Sequence, residues 1–170
     1  LAICQHRARR LHFARIIAEG IGERANELPA KEQGDYHCLS GLLEEEFGLH
    51  ASSVRKSLRA AAIYRSGKNR NSEAKAMCNA GRAYRGTGNL DRAIECLQGS
   101  LDIARRHEFK LLEADVSCEL AKTYLLMDAP PVTRVLIRNA TELAREGEYR
   151  DALFFSYVLG LQMALRENNI

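Results

Sequence analysis

Tryptophan is absent from this chain, and proline occurs three times in 170 residues. Phenylalanine and tyrosine supply the whole aromatic share of 6%. So few helix breakers and so few large rings fit an all-helical protein. No apolar run approaches the roughly 18 residues that mark a membrane-spanning helix, and no leader-like segment opens the chain. The net charge is only +3, too small to argue by itself for a nucleic-acid partner. The five cysteines are odd in number and show no short-range pairing pattern. Together these absences point to a soluble, reduced, cytoplasmic setting with no membrane and no nucleic acid.

Catalytic motifs are absent as well. The sequence holds no H-E-x-x-H, no G-x-S-x-G and no Walker loop. Gly67-Lys68 lacks the upstream glycine and the following Ser or Thr of a phosphate loop. The expectation is a protein that is not an enzyme and needs no cofactor or metal. A pairing of Cys4 with His6 as metal ligands is weighed and set aside. The basic run of His6, Arg7, Arg9, Arg10, His12 and Arg15 reads as a solvated helix face, with an import signal or phosphate patch as its rival.

What is present centres on Glu73 to His107. Met77, Ala80, Gly81 and Tyr84 recur at helical spacing and predict a first helix over residues 73–85. Gly86-Thr87-Gly88 breaks it. Asn89 is placed to cap a second helix, whose Leu90, Ala93, Ile94, Leu97, Leu101 and Ala104 form one apolar stripe. The small Ala80 and Gly81 suit an antiparallel hairpin packed closely.

The set Ala80, Gly81, Tyr84, Gly88, Ala93, Leu97 and Ser100 resembles a tetratricopeptide repeat, with Met77 where the family has tryptophan. The stretch from Ser72 to Asp91 looks most like the longer repeats of the Pins/LGN adaptor group. A shift of 40 residues superimposes Cys38, Cys78 and Cys118, then Gly41, Gly81 and Ala121, then Gly48, Gly88 and Asp128. It also aligns residues 104–110 with residues 144–150. Recurrence at a fixed period is the signature of a solenoid. The predicted fold is therefore all-α: a right-handed α-solenoid of antiparallel helical hairpins.

Along the chain, residues 1–28 read as a helix or a degenerate repeat. Repeats follow over 34–66, 73–107 and 111–146, with 149–166 as the first helix of a truncated repeat or a capping helix. The first helix of the 34–66 repeat is expected over 34–47 and its partner over 51–66, capped by Ser52 or Ser53. Residues 67–71 form an inter-repeat loop. In the 111–146 repeat the helices span 111–127 and 132–145, with Pro130-Pro131 in the turn. The last segment is apolar nearly all round, from Ala152 to Leu165, and must be covered on most sides. Because the chain opens on Leu1 and stops after what reads as a first helix, it is expected to be part of a longer protein.

The resemblance implies that first helices line a concave groove holding a peptide. Its groove positions fall on Asp35, Cys38, Leu42, Glu45 and Glu46, then Lys75, Cys78, Asn79, Arg82 and Arg85, then Asp115, Cys118, Lys122, Leu125 and Leu126. Asn79 matches an asparagine that holds peptide backbone in the Pins/LGN group, but Leu39 and Glu119 stand at its other two positions. Packed helices lie about 8–10 Å apart, so the three aligned cysteines are poorly placed for a shared metal or a disulfide and read as structural or groove-lining thiols.

These positions predict a non-catalytic scaffold or adaptor. Lys75, Arg82, Arg85 and Lys122 would meet acidic groups of a protein or peptide partner, and Leu125 with Leu126 would supply an apolar pocket. Charge reversal at Arg82 and Arg85 would then abolish binding at unchanged stability. The alternative is a structural or regulatory part of a larger assembly (a motor light chain, a ciliary complex or an ATPase-regulator sensor). It would make contact through Phe154, Phe155 and Leu161, as an oligomer or as a continuation of the solenoid through residues 149–165.

Overall fold

A computed structural model describes residues 2–167, with side chains from residue 11 onward. The described residues fold into α1 (Ala2–Gly22), a short 3-10 turn (Ala25–Glu27), α2 (Ala30–Glu46), α3 (His50–Ser66), α4 (Arg70–Gly86), α5 (Leu90–Arg106), α6 (Lys110–Leu126), α7 (Pro130–Glu146) and α8 (Arg150–Glu167). No strand occurs among them. Consecutive helices pack as antiparallel pairs, and α2, α4, α6 and α8 also touch in series. The architecture is a right-handed α-solenoid, with α2, α4, α6 and α8 side by side along one face. Cys4, His6 and the basic side chains before Leu11 lie outside the described side chains.

The helix ends follow from local chemistry. Asn89 caps α5 as its sequence position suggests, accepting from the Arg92 N–H at 3.2 Å. Asn69 does the same for α4, accepting from the Ser72 N–H at 3.2 Å. This cap starts α4 at Arg70, so the last two residues of the expected 67–71 loop are helix and residues 67–69 make the turn. Ser52 and Ser53 cap nothing: α3 starts at His50, Leu49 is its N-cap residue, and Ser53 is buried inside the helix. Pro130 and Pro131 both sit in the first turn of α7, where a missing N–H costs nothing, so that helix also begins earlier than expected.

Close approach is made by small side chains. Ala74, Ala80, Ala93, Ala104, Ala121 and Ala140 are fully buried between helices. Gly81 shows why a small residue is needed at the α4–α5 crossing. A Cβ there would lie 2.6 Å from Leu97 Cγ and 3.0 Å from the Ala93 carbonyl oxygen. Around these contacts Leu97, Leu101, Leu112, Val116, Leu120, Leu136 and Leu159 form one continuous core running from α5 through α8.

Candidate functional site

Residues one or two turns apart on α4 and α6 project from the same face, because 3.6 residues make a turn. On α4 these are Lys75, Cys78, Asn79 and Arg82; on α6 they are Asp115, Cys118, Glu119 and Lys122. With Cys38 and Leu42 of α2, Leu112 of α6, and Asp151, Ala152 and Phe155 of α8, they line a groove of about 720 Å³. Of the fifteen groove positions read from the sequence, nine therefore converge: Cys38, Leu42, Lys75, Cys78, Asn79, Arg82, Asp115, Cys118 and Lys122.

Arg85 and Leu125, expected to meet a partner, do not. Arg85 turns away from the groove and is tied to Glu119, at 2.5 Å to Oε2 and 3.1 Å to the backbone carbonyl, with Thr123 Oγ1 at 3.3 Å. Leu125 is buried, and its carbonyl accepts from Arg166 Nη1 at 2.7 Å. Leu126 is exposed and outside the lining. The expected leucine pocket is not formed, because a one-residue step on a helix rotates the side chain by about 100°.

The groove is not a basic centre. Arg82 pairs with Glu45 at 3.3 Å, and Lys122 with Glu119 at 2.9 Å. Glu119 thus holds Arg85 and Lys122 together; burial alone would raise its pKa, but these two cations hold it below the ordinary carboxylate value. Asp115 shifts the other way. Burial raises it, and Glu119 and Asp151 nearby add to the effect, outweighing Lys75. Four cations therefore stand against four carboxylates, Glu45, Asp115, Glu119 and Asp151. Lys75 is the cation without an ion pair among the described residues. Since Arg85 holds α4 to α6, its reversal would cost stability, contrary to what the sequence suggests.

The aligned cysteines all reach this groove and are free thiols. Cys38 accepts from Asn79 Nδ2 at 3.5 Å, so that amide is partly engaged within the protein. Burial pushes the Cys78 and Cys118 thiols up to about 12, which leaves them protonated and unreactive at neutral pH. Among the described residues no group of three His, Cys, Asp or Glu gathers as a metal site, and no helix is long and apolar enough to cross a membrane.

The sequence groups Phe155 with Phe154 and Leu161 as an assembly surface; in the structure Phe155 lines the groove, with Lys122 Nζ 5.1 Å from its ring centroid. Phe154 and Leu161 are exposed elsewhere on α8. Sequence reasoning missed Leu112 and Asp151 as groove walls, and met Glu119 only as the residue standing at the position of Asn79. Their spacing from Asp115 along α6 and their place at the start of α8 contained the signal.

No family model matches the sequence, and no curated protein matches it. Solved structures do match. The apo form of RapI superposes with a TM-score of 0.85 at 14% identity, over 98% of this chain and 61% of that one. The Rap conjugation gene regulator of the plasmid pLS20, in complex with the Phr* peptide, gives a TM-score of 0.69 at 16% identity, over 96% of this chain and 51% of that one. The chain thus spans roughly half to three fifths of these neighbours. At such identities the likeness speaks of fold alone, and that fold is the tetratricopeptide-like α-solenoid.

Proposed function

We propose that this chain is a peptide-binding scaffold of the tetratricopeptide type, built on 40-residue hairpins like those of the Pins/LGN adaptors, acting in the cytoplasm without catalysis of its own. It takes an extended partner segment in the groove of α2, α4, α6 and α8. The observation that carries this reading is the groove itself. Four helices bring paired charges, an amide and an aromatic ring to one cleft of about 720 Å³, within the size range of ligand sites. The pLS20 Rap regulator, which shares the fold, is solved with a peptide bound. Lys75 gives the groove one uncommitted cation, so the segment places an acidic side chain there.

A second reading has its own observation. Phe154, Tyr157, Leu161 and Leu165 leave an apolar face of α8 in solvent, which fits a permanent contact in a larger assembly. One experiment separates the two. Peptides selected from a random library on the wild-type protein are titrated against Lys75→Glu and Phe154→Asp variants. The groove reading expects enrichment of Asp or Glu and a loss of about tenfold or more with Lys75→Glu, with Phe154→Asp unchanged. Binding that survives Lys75→Glu but fails with Phe154→Asp would move function to α8.

A further inference from the structure

One register position recurs on neighbouring first helices with alternating charge. Asp35, Lys75 and Asp115 stand 40 residues apart, at the same place on α2, α4 and α6. Asp35 is engaged within the protein, accepting from the Tyr64 hydroxyl at 2.6 Å. Lys75 and Asp115 instead line the groove, where Asp151 at the start of α8 joins them.

These three charges are the ones the protein leaves unmet. Asp115 and Asp151 carry no hydrogen bond or ion pair among the described residues, as Lys75 carries none. The other charges are engaged: Arg82 with Glu45, Arg85 and Lys122 with Glu119, and Lys122 also over the Phe155 ring. Two carboxylates therefore stand open against one cation. The walls around Asp115 desolvate it, and Glu119 and Asp151 add like charge, so its carboxyl sits above its ordinary value in spite of Lys75. A carboxylate in that setting is stabilised by a cation brought to it from outside.

The spacing of the open charges is set by helix packing. Packed helix axes lie about 8–10 Å apart, and an extended chain advances about 3.3 Å per residue. One step from α4 to α6 is thus about three residues of a segment laid across the helices.

We propose that the groove reads an acid–base pair in its partner segment: an Asp or Glu over Lys75 and, about three residues away, a Lys or Arg between Asp115 and Asp151. The proposal rests on the groove reading and adds the second charge and its distance from the first.

Short random peptide libraries are selected in parallel on the wild type and on the Asp115→Asn/Asp151→Asn, Asp115→Lys and Lys75→Glu variants, and the binders are sequenced. Lys75, Asp115 and Asp151 are exposed and tie down no other residue, so the fold tolerates these changes, and circular dichroism with a thermal melt checks this. Wild-type binders are expected to carry Asp or Glu with Lys or Arg about three residues away. On Asp115→Asn/Asp151→Asn the base disappears from the selected sequences, the acid is kept, and wild-type peptides bind about fivefold or more weakly. On Asp115→Lys an acid takes the place of the base, a gained preference that a damaged fold does not produce. On Lys75→Glu the acid is lost and the base is kept. Wild-type binders that lack the base, or hold it at no fixed distance from the acid, overturn the pair, as does a base that survives both Asp115 variants. The groove reading then stands as long as the acid depends on Lys75. An acid that does not depend on Lys75 sinks the groove reading instead, and a wild type that selects no peptide overturns both.

Discussion

Glu73 and Glu113 hold the same post in successive hairpins, 40 residues apart. Glu73 takes Arg65 Nε at 2.7 Å and Arg70 Nη1 at 2.6 Å, and its side chain is only 3% exposed. Glu113 takes Arg105 Nε at 3.0 Å and Lys110 Nζ at 3.7 Å. Each carboxylate thus joins the end of one hairpin to the first helix of the next. At the third junction Arg145 recurs but Leu153 replaces the glutamate, and Arg145 donates instead to the Tyr157 hydroxyl at 2.8 Å. These clamps stood in the sequence at the repeat period without being legible as pairs, because pairing depends on how two hairpins dock. Burial alone would raise the pKa of Glu73; hydrogen bonds from Arg65 and Arg70 overcome it and hold the pKa below its ordinary value of 4.5. A carboxylate lowered in the folded state stabilises above its unfolded pKa, and that contribution is lost as pH falls through the folded one. Glu73→Gln is therefore expected to lower the unfolding free energy by about 1–3 kcal/mol at neutral pH. Urea melts from neutral pH to below 4.5 should show the wild type and variant converging only at the acid end. A gap that stays constant would remove the ion pair from the account.

At the scale of the elements, every interhelical turn from α2 to α8 is built alike. Residues 48, 68, 88, 108, 128 and 148 all adopt positive φ, between 54° and 80°. In each turn the next residue's N–H returns to the carbonyl five residues before it: Leu49 to Glu44, Asn69 to Tyr64, Asn89 to Tyr84, Phe109 to Ala104, Ala129 to Tyr124 and Tyr149 to Ala144, at 2.8–3.1 Å. This is the Schellman closure, which satisfies carbonyls left open at a helix end. Two of the six positions are glycine and four are Lys68, Glu108, Asp128 and Glu148. Sequence reasoning aligned Gly48, Gly88 and Asp128 but gave Lys68, Glu108 and Glu148 no turn role. Helix length and the closing hydrogen bond force the conformation there, against the preference of the side chain. A non-glycine residue pays roughly 1–2 kcal/mol for that left-handed geometry. Glu108→Gly should thus raise stability by about 0.5–1 kcal/mol after the glycine's own entropy in the unfolded chain is counted. Glu95→Gly, on the exposed interior of α5, should lower it by a similar amount. Thermal melts of the two variants decide: a Glu108→Gly protein that melts below wild type would mean the side chain earns its place by a contact instead.

Across the whole molecule the packing changes character from end to end. The core from α5 to α8 is built of leucine, valine and alanine, whereas the α2–α3 interface buries His37, Ser53 and Ser57 with no hydrogen-bond partner for their side chains. The resemblance to a tetratricopeptide repeat, carried along first helices at the repeat period, implied one groove for Lys75, Cys78, Asn79, Arg82, Asp115 and Lys122, and these six line one groove. Neither this gradient nor the neutralised groove was legible in the same way, since Arg85 with Glu119, or His37 with α3, join residues set far apart by the register of docked helices. In a solenoid each junction answers mainly to its neighbours, so a weak junction opens locally. His37 makes that opening depend on pH. Burial lowers its pKa below 6.5, and Arg59 and then Lys56 on α3 lower it further. The other groups named at this junction are Tyr36, whose ring centroid is 5.1 Å away, and Glu44, which pairs with Lys56. A histidine lowered in the folded state binds its proton more readily once unfolded, so stability falls as pH drops from about 6.5 toward the folded value. This window lies above the one set by Glu73. Hydrogen exchange, corrected for intrinsic rates, should show α2 and α3 losing protection between about pH 7 and about pH 5.5, while α5 and α6 keep theirs. His37→Leu should abolish the difference. Equal loss in all helices, or an unchanged response in that variant, would show that the chain opens as one unit and that His37 is not its acid-sensitive point.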